Sequence, residues 1–186
     1  MLLNVRSAVG LLVLVLALTV LGTPQAVVAG SAGEIDRSVD NALGLLFKSN
    51  PDARNLSERA KGILVFPDIV KAGFLLGAQY GEGALRQRGR TTGYYNSVAA
   101  SYGLQAGVQV FGYALFFMSE SALRYLDTSG GFELGSGPSI VILDTGGARA
   151  LTTSTIQSDI YAVFFDQKGL MAGLGLQGSK ISRLEK

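Results

Sequence analysis

The sequence predicts an α+β domain. It should be a strongly curved, mainly antiparallel β-sheet or partial barrel, with an N-terminal amphipathic helix and one or two short helices. Three observations predict it. Ile35, Val39, Ala42 and Leu46 recur at helical spacing within Glu34–Lys48. Beyond Lys61 the chain breaks into apolar, β-branched and aromatic runs punctuated by Gly, Pro and Asp. Three of these runs carry a Gly/Gln face opposite an aliphatic one: Gly73–Gly83, Gly103–Gln109 and Gly173–Gln177. Alternate residues of a strand face opposite sides. Gly inside a strand weakens it unless a bulge, a bend or a closely approaching backbone requires it. Three such stripes point to curvature more readily than to a ligand-lined groove.

The helix over Glu34–Lys48 has Glu34, Asp36 and Asp40 early and Lys48 at its end, as the helix dipole favours. Asn50-Pro51 ends it. A second short helix is expected over Leu56–Lys61. Gly62–Phe66 is an apolar run stopped by Pro67, and reads as a buried strand. A second extended segment follows from Gly73. Gly93-Tyr94-Tyr95-Asn96 reads as an aromatic turn, and Ser101–Phe117 as a long strand interrupted at Gly112. Glu120–Leu126 is a short helix with Ser119 as N-cap. Asp127–Pro138 reads as a Gly/Ser-rich loop or weak strand. Strands are expected at Ile140–Leu143, Ala150–Ile156, Ile160–Phe165 and Leu170–Gln177, with turns at Asp144–Gly147 and Asp166–Gly169.

The first 29 residues resemble a secretory signal. Arg6 lies in a short positive region, Val9–Leu21 is almost wholly apolar, and Val27 and Ala29 place small residues at the −3 and −1 positions. The apolar run is shorter than the roughly 20 residues of a spanning helix. Cleavage is expected after Ala29 or after Ala32. The remainder, residues 30–186, is the size of one domain. The chain has no Cys, so its stability rests on its core rather than on disulfides, and an N-terminal lipidated Cys is excluded.

The chain has no His either. That removes Ser-His-Asp and Cys-His catalysis and the usual zinc ligand sets. Gly173–Gly178 fits G-x-G-x-x-G, but only eight residues follow it, too few for the helix and βαβ unit of a dinucleotide site. No phosphate-binding loop of the G-x-x-x-x-G-K-[ST] type occurs. Asp144-Thr145-Gly146 resembles an aspartic-protease sequence, and the chemistry needs two such carboxylates sharing a proton. A homodimeric hydrolase centred on Asp144 is therefore a remote alternative, and a plain β-turn explains the residues equally well. The expectation is a protein that is not an enzyme and takes no cofactor.

Charge is unevenly distributed. Arg54–Arg90 holds seven basic and three acidic residues, whereas Glu120–Asp166 holds six acidic and two basic ones. A basic segment suits an anionic lipid or another polyanion, and equally an ordinary solvated surface with counter-charges nearby in space.

Taken together, these stretches resemble the SYLF domain family. The matching residues are Lys61–Pro67, Lys71–Phe74, Gly77, Tyr80–Gly83, Gly107–Gln109, Phe116–Met118 before Ala122-Leu123, and Lys168–Gly173 with Gln177–Ser179. The resemblance spans roughly Ile35 to Leu184. Many members carry Trp-Ser-x-Pro after the central strands; here Tyr95-Asn96-Ser97-Val98 takes that place. Members of the family bind membrane lipids, eukaryotic ones phosphoinositides and some fungal ones actin, and the family implies no catalysis. For an exported chain the resemblance implies phospholipid binding in general. The expected partner is an anionic phospholipid membrane of the cell envelope, and the expected location periplasmic or peripheral on that membrane. Arg86, Arg88 and Arg90 alternate with Gln87 and Gly89, so in an extended arm they should project to one side and meet headgroup phosphates. Lys61, Lys71 and Lys168 are further candidates, and Tyr94 and Tyr95 suit the membrane interface. The alternative is a structural or protein-binding envelope module using a sheet edge or the Gly/Gln face. No nucleic-acid partner is expected.

Overall fold

The computed structural model describes residues 29–127, 132–133, 138–143, 158–169 and 179–186. The apolar leader, Asp144 with its turn, the strand expected at Ala150–Ile156 and the Gly stripe at Gly173–Gln177 lie outside the described residues, as does most of Asp127–Pro138.

Helix α1 spans Ala32–Ser49 and buries Ile35, Val39, Ala42 and Leu46, the stripe that its spacing predicts. Ser31 caps its start through a reciprocal capping box with Glu34. Asn50 ends α1 and at once caps α2, which spans Pro51–Arg59 rather than Leu56–Lys61. Its side chain accepts from Ala53 N at 3.0 Å, and Pro51 sits at the first helical position, where a missing N–H is harmless. The same dipeptide thus stops one helix and starts the next.

Strands β1 (Gly62–Gln87) and β2 (Arg90–Phe117) form one long antiparallel ribbon. Three sequence expectations change here. Pro67 does not stop the strand; it lies in a bulge between Phe66 and Ile69, where no ladder hydrogen bond is needed from it. Gly93–Asn96 is strand interior, not a turn. The turn is Arg88-Gly89, with φ of 50° and 73° and Gln87 paired to Arg90, the two-residue hairpin geometry that matches strand twist. And β2 runs unbroken through Gly112.

The ribbon then folds back on itself. A Cβ placed on Gly73 would lie 2.5 Å from Gly77 Cα, so β1 bends sharply there. Beyond the bend, a Cβ on Gly81 would lie 2.5 Å from Asp68 O, and one on Gly83 would collide with Val65 O. The returning half of β1 therefore lies against its outgoing half, and the Gly stripe is the surface of that close approach. Gln79 of the first stripe and Gln109 of the second are buried. Among the described residues the Gly/Gln face is interior at Gln79, Gly81, Gly83 and Gln109, whereas Gly107 is exposed.

Helix α3 spans Glu120–Tyr125, capped by Ser119 as expected. Strands β3 (Phe132–Glu133), β4 (Ile140–Leu143), β5 (Ile160–Gly169) and β6 (Lys180–Leu184) complete a curved sheet in the order β3-β6-β2-β5-β4, with β1 on β2. Only β4 and β5 pair in parallel among the described strands. β5 continues through the expected turn, with positive φ at Asp166 and Gly169. β6 has no counterpart in the sequence reading, because Lys180-Ile181-Ser182-Arg183 offers a single buried apolar residue.

Toward the end that carries the helices both faces of the sheet are covered, which is why its strands read there as continuous apolar runs. Leu64, Phe66, Tyr113, Leu115 and Phe164 pack between the folded halves, with Leu123 of α3. Val65, Ala114, Phe116, Tyr161 and Val163 point the other way, onto α1 and α2.

Candidate functional site

The hairpin end of the ribbon is fixed to α1 by a polar cluster. Arg86 donates to Thr91 Oγ1 at 2.6 Å and to Asp36 O at 3.1 Å, and pairs with Asp40. Thr91 in turn donates to Asp36 at 2.6 Å, and Tyr94 to the other Asp36 oxygen at 3.0 Å. The Arg86 side chain is only 13% exposed. Two carboxylates one turn apart on α1 are what hold it, and their spacing was visible in the sequence without its partner.

A groove of about 1060 Å³ opens beside this cluster. Arg59 and Lys61 line it from the end of α2 and the link to β1, and Arg86, Arg88 and Arg90 from the hairpin. Asp40, Glu58 and Glu120 are its acids, and Leu43, Phe47 and Ile63 its apolar lining. Lys61, Arg88 and Arg90 are exposed and form no ion pair among the described residues. The structure thus brings Lys61 to the three arginines, which sequence distance did not suggest. It separates Arg86 from Arg88 and Arg90 in environment: the turn at Arg88-Gly89 interrupts the alternation that would have aligned all three. Arg59, Leu43 and Phe47 were missed. Their signal was faint, two half-buried apolar residues of α1 outside its buried stripe.

The remaining candidates lie elsewhere. Lys168 is opposite Val110, which is opposite Val70, so it sits toward the bend. It donates to Asp166 at 2.8 Å, and that bond holds its pKa above the usual lysine value. Lys71 is buried on the same part of the ribbon and has interactions of its own. From Gly62 to the bend at Gly73 is roughly 35 Å of strand, so these two lysines and the groove are at opposite ends. Tyr94 is tied to Asp36, and its pKa is raised by desolvation and that bond. Tyr95 is 1% exposed. Its hydroxyl donates to Asp127 at 2.7 Å, and the Arg183 guanidinium lies 5.8 Å from its ring centre. Burial pushes its pKa up. Both tyrosines are packing residues of the sheet.

Near the bend the outer sheet face is apolar and, among the described residues, uncovered. Val70, Leu76, Val98 and Val108 are exposed, Leu76 by 75%. Each belongs to a face whose other end carries the helices. Among the described residues, no cluster of three or more Asp, Glu, His or Cys is arranged to hold a metal. No described helix is long and apolar enough to cross a membrane.

Residues 98–186 are similar to a protein-family model, Ysc84, described as a Las17-binding protein actin regulator. The matched stretch starts within β2, so α1, α2, β1 and the basic residues of the groove precede it. No curated protein matches the chain.

Proposed function

We propose, from the similarity of residues 98–186 to the Ysc84 family model and of the wider chain to the SYLF domain family, that this chain is a non-enzymatic module that binds anionic phospholipid at a cell-envelope membrane. One observation carries the reading. Lys61, Arg88 and Arg90, drawn from two segments, line one groove and have no carboxylate partner among the described residues. Arg88 and Arg90 offer paired donors suited to phosphate oxygens. Arg86 orients the hairpin that carries them, through Asp36 and Asp40. The family description names an actin regulator; an exported chain meets no actin, so the lipid side of the family is what transfers. The export reading rests on the leader pattern of Met1–Ala29.

Co-sedimentation with vesicles containing or lacking anionic lipid tests this. The variant Lys61→Gln/Arg88→Asn/Arg90→Gln keeps the hairpin, since Asn-Gly favours the same turn. Each cation near an anionic surface contributes about 1 kcal/mol, so the triple change should weaken binding on the order of 100-fold at low salt. Unchanged binding would sink the groove as the lipid site.

A second reading is favoured by the uncovered apolar face at the bend. A protein-interaction module would use Val70, Leu76 and Val108, and its partner binding would be indifferent to lipid and to the triple change.

A further inference from the structure

We propose that the Ala29–Gly30 bond is a peptidase cleavage site, and that the α-amino group it frees docks as an ammonium on the Glu82 carboxylate. The inference rests on the export part of the function proposed above and is independent of lipid binding.

The sequence permits two cleavage positions, after Ala29 and after Ala32. The fold distinguishes them. Gly30 N donates to Glu82 Oε2 at 3.0 Å. The other oxygen of Glu82 accepts from the Tyr80 hydroxyl at 2.8 Å. Lys186 Nζ donates to Gly30 O at 2.7 Å and lies 3.2 Å from Glu82 Oε2. The Glu82 and Lys186 side chains are only 10% and 11% exposed. Gly30 is thus held at both its amide and its carbonyl by a nearly buried ion pair. Ser31 follows at once as the N-cap of α1, with its N–H and hydroxyl on Glu34 at 2.8 and 2.7 Å. Cleavage after Ala32 would delete Gly30, Ser31 and the capping box, and leave Glu82 and Lys186 without those contacts. Cleavage after Ala29, itself exposed, keeps every one of them.

The step is a hydrolysis. Water adds across the amide: its hydroxyl goes to the Ala29 carbonyl carbon, the C–N bond breaks, and a hydrogen goes to Gly30 N. The new carboxyl group gives up a proton and the new amine takes one up, so Ala29 leaves as a carboxylate and Gly30 becomes an ammonium. A neutral donor to Glu82 is thereby replaced by a charged one, the stronger kind of hydrogen bond. The groups facing the amine are Glu82, Lys186 and the neutral Tyr80. Glu82 favours the ammonium and Lys186 opposes it, with the direct contact belonging to Glu82.

The test expresses the full chain in an exporting bacterial host and reads the N-terminus of the exported protein by sequencing and intact mass. Gly30 is expected. Gly33, or a retained leader, overturns the proposal. The second measurement is the rate at which an acylating reagent modifies the Gly30 amine at neutral pH. Docking should slow it about tenfold against the same protein unfolded in urea, and Glu82→Gln should restore most of the rate. Equal rates in the folded and unfolded parent overturn the docking. Vesicle binding is scored separately, so loss of the lipid reading leaves both measurements standing.

Discussion

Tyr113 donates its hydroxyl to Ser97 at 2.8 Å, across sixteen positions of a single strand. Both residues are fully buried. A straight strand would hold them roughly 50 Å apart, so this bond is a direct measure of the folding of the ribbon. Ser97→Ala would leave the buried hydroxyl without its partner, at a cost of about 1–3 kcal/mol. Tyr113→Phe should cost less. The double variant should melt close to Tyr113→Phe, because the orphaned donor is gone. Thermal melts of the four proteins check this, and strict additivity would count against the contact.

The glycines separate by what surrounds them. Gly81→Val places a branched side chain against Asp68 O and Ile69. It should lower stability by about 1–3 kcal/mol or more. Gly44→Ala, in the exposed middle of α1 with nothing within 4 Å of the added carbon, should raise stability by about 0.5–1 kcal/mol. Denaturant midpoints of opposite sign are expected.

Arg86 and its neighbours should also part company. Arg86→Leu removes charge-assisted bonds to Asp40, Asp36 and Thr91 from a nearly buried site, and should cost on the order of 2–3 kcal/mol. That corresponds to a fall in Tm of very roughly 4–12 °C. Arg90→Gln, on the exposed end of the hairpin, should stay within about 0.5 kcal/mol. A large loss at Arg90 with none at Arg86 would reverse the assignment of structural and binding roles.

Four tyrosines tie stability to alkaline pH. Desolvation raises the pKa of Tyr80 to about 12 and also pushes up those of Tyr94, Tyr95 and Tyr113. Below pH 10 these phenols are neutral in both states, and their contribution is fully present. Above it the unfolded chain loses protons that the folded chain keeps, so stability falls as pH rises from about 10 through 12. Ultraviolet titration of the folded protein should show fewer phenolates at pH 11 than the urea-unfolded chain, which has seven tyrosines and no Trp to obscure them. Identical curves would contradict the burial of these hydroxyls.

Local chemistry alone determined much of this protein. The stripe of α1, the capping of α3 by Ser119, the strand at Ile140–Leu143 and the curvature demanded by Gly81 and Gly83 follow from spacing, caps and backbone sterics within a few residues of each position. Tertiary structure decided what depends on neighbours far along the chain. Pro67 reads as a stop because its missing N–H is a local fact, whereas the bulge that accommodates it belongs to the pairing with β2. Arg86, Arg88 and Arg90 look equivalent in sequence. Only the hairpin turn and the Asp36–Asp40 face of α1 make the first a buried anchor and leave the other two facing a groove with Lys61. Tyr94 and Tyr95 look like a paired aromatic surface until Asp36 and Asp127, from distant segments, claim their hydroxyls. Burial, charge pairing and the meeting of remote segments are properties of the packed chain, and no window of sequence contains them.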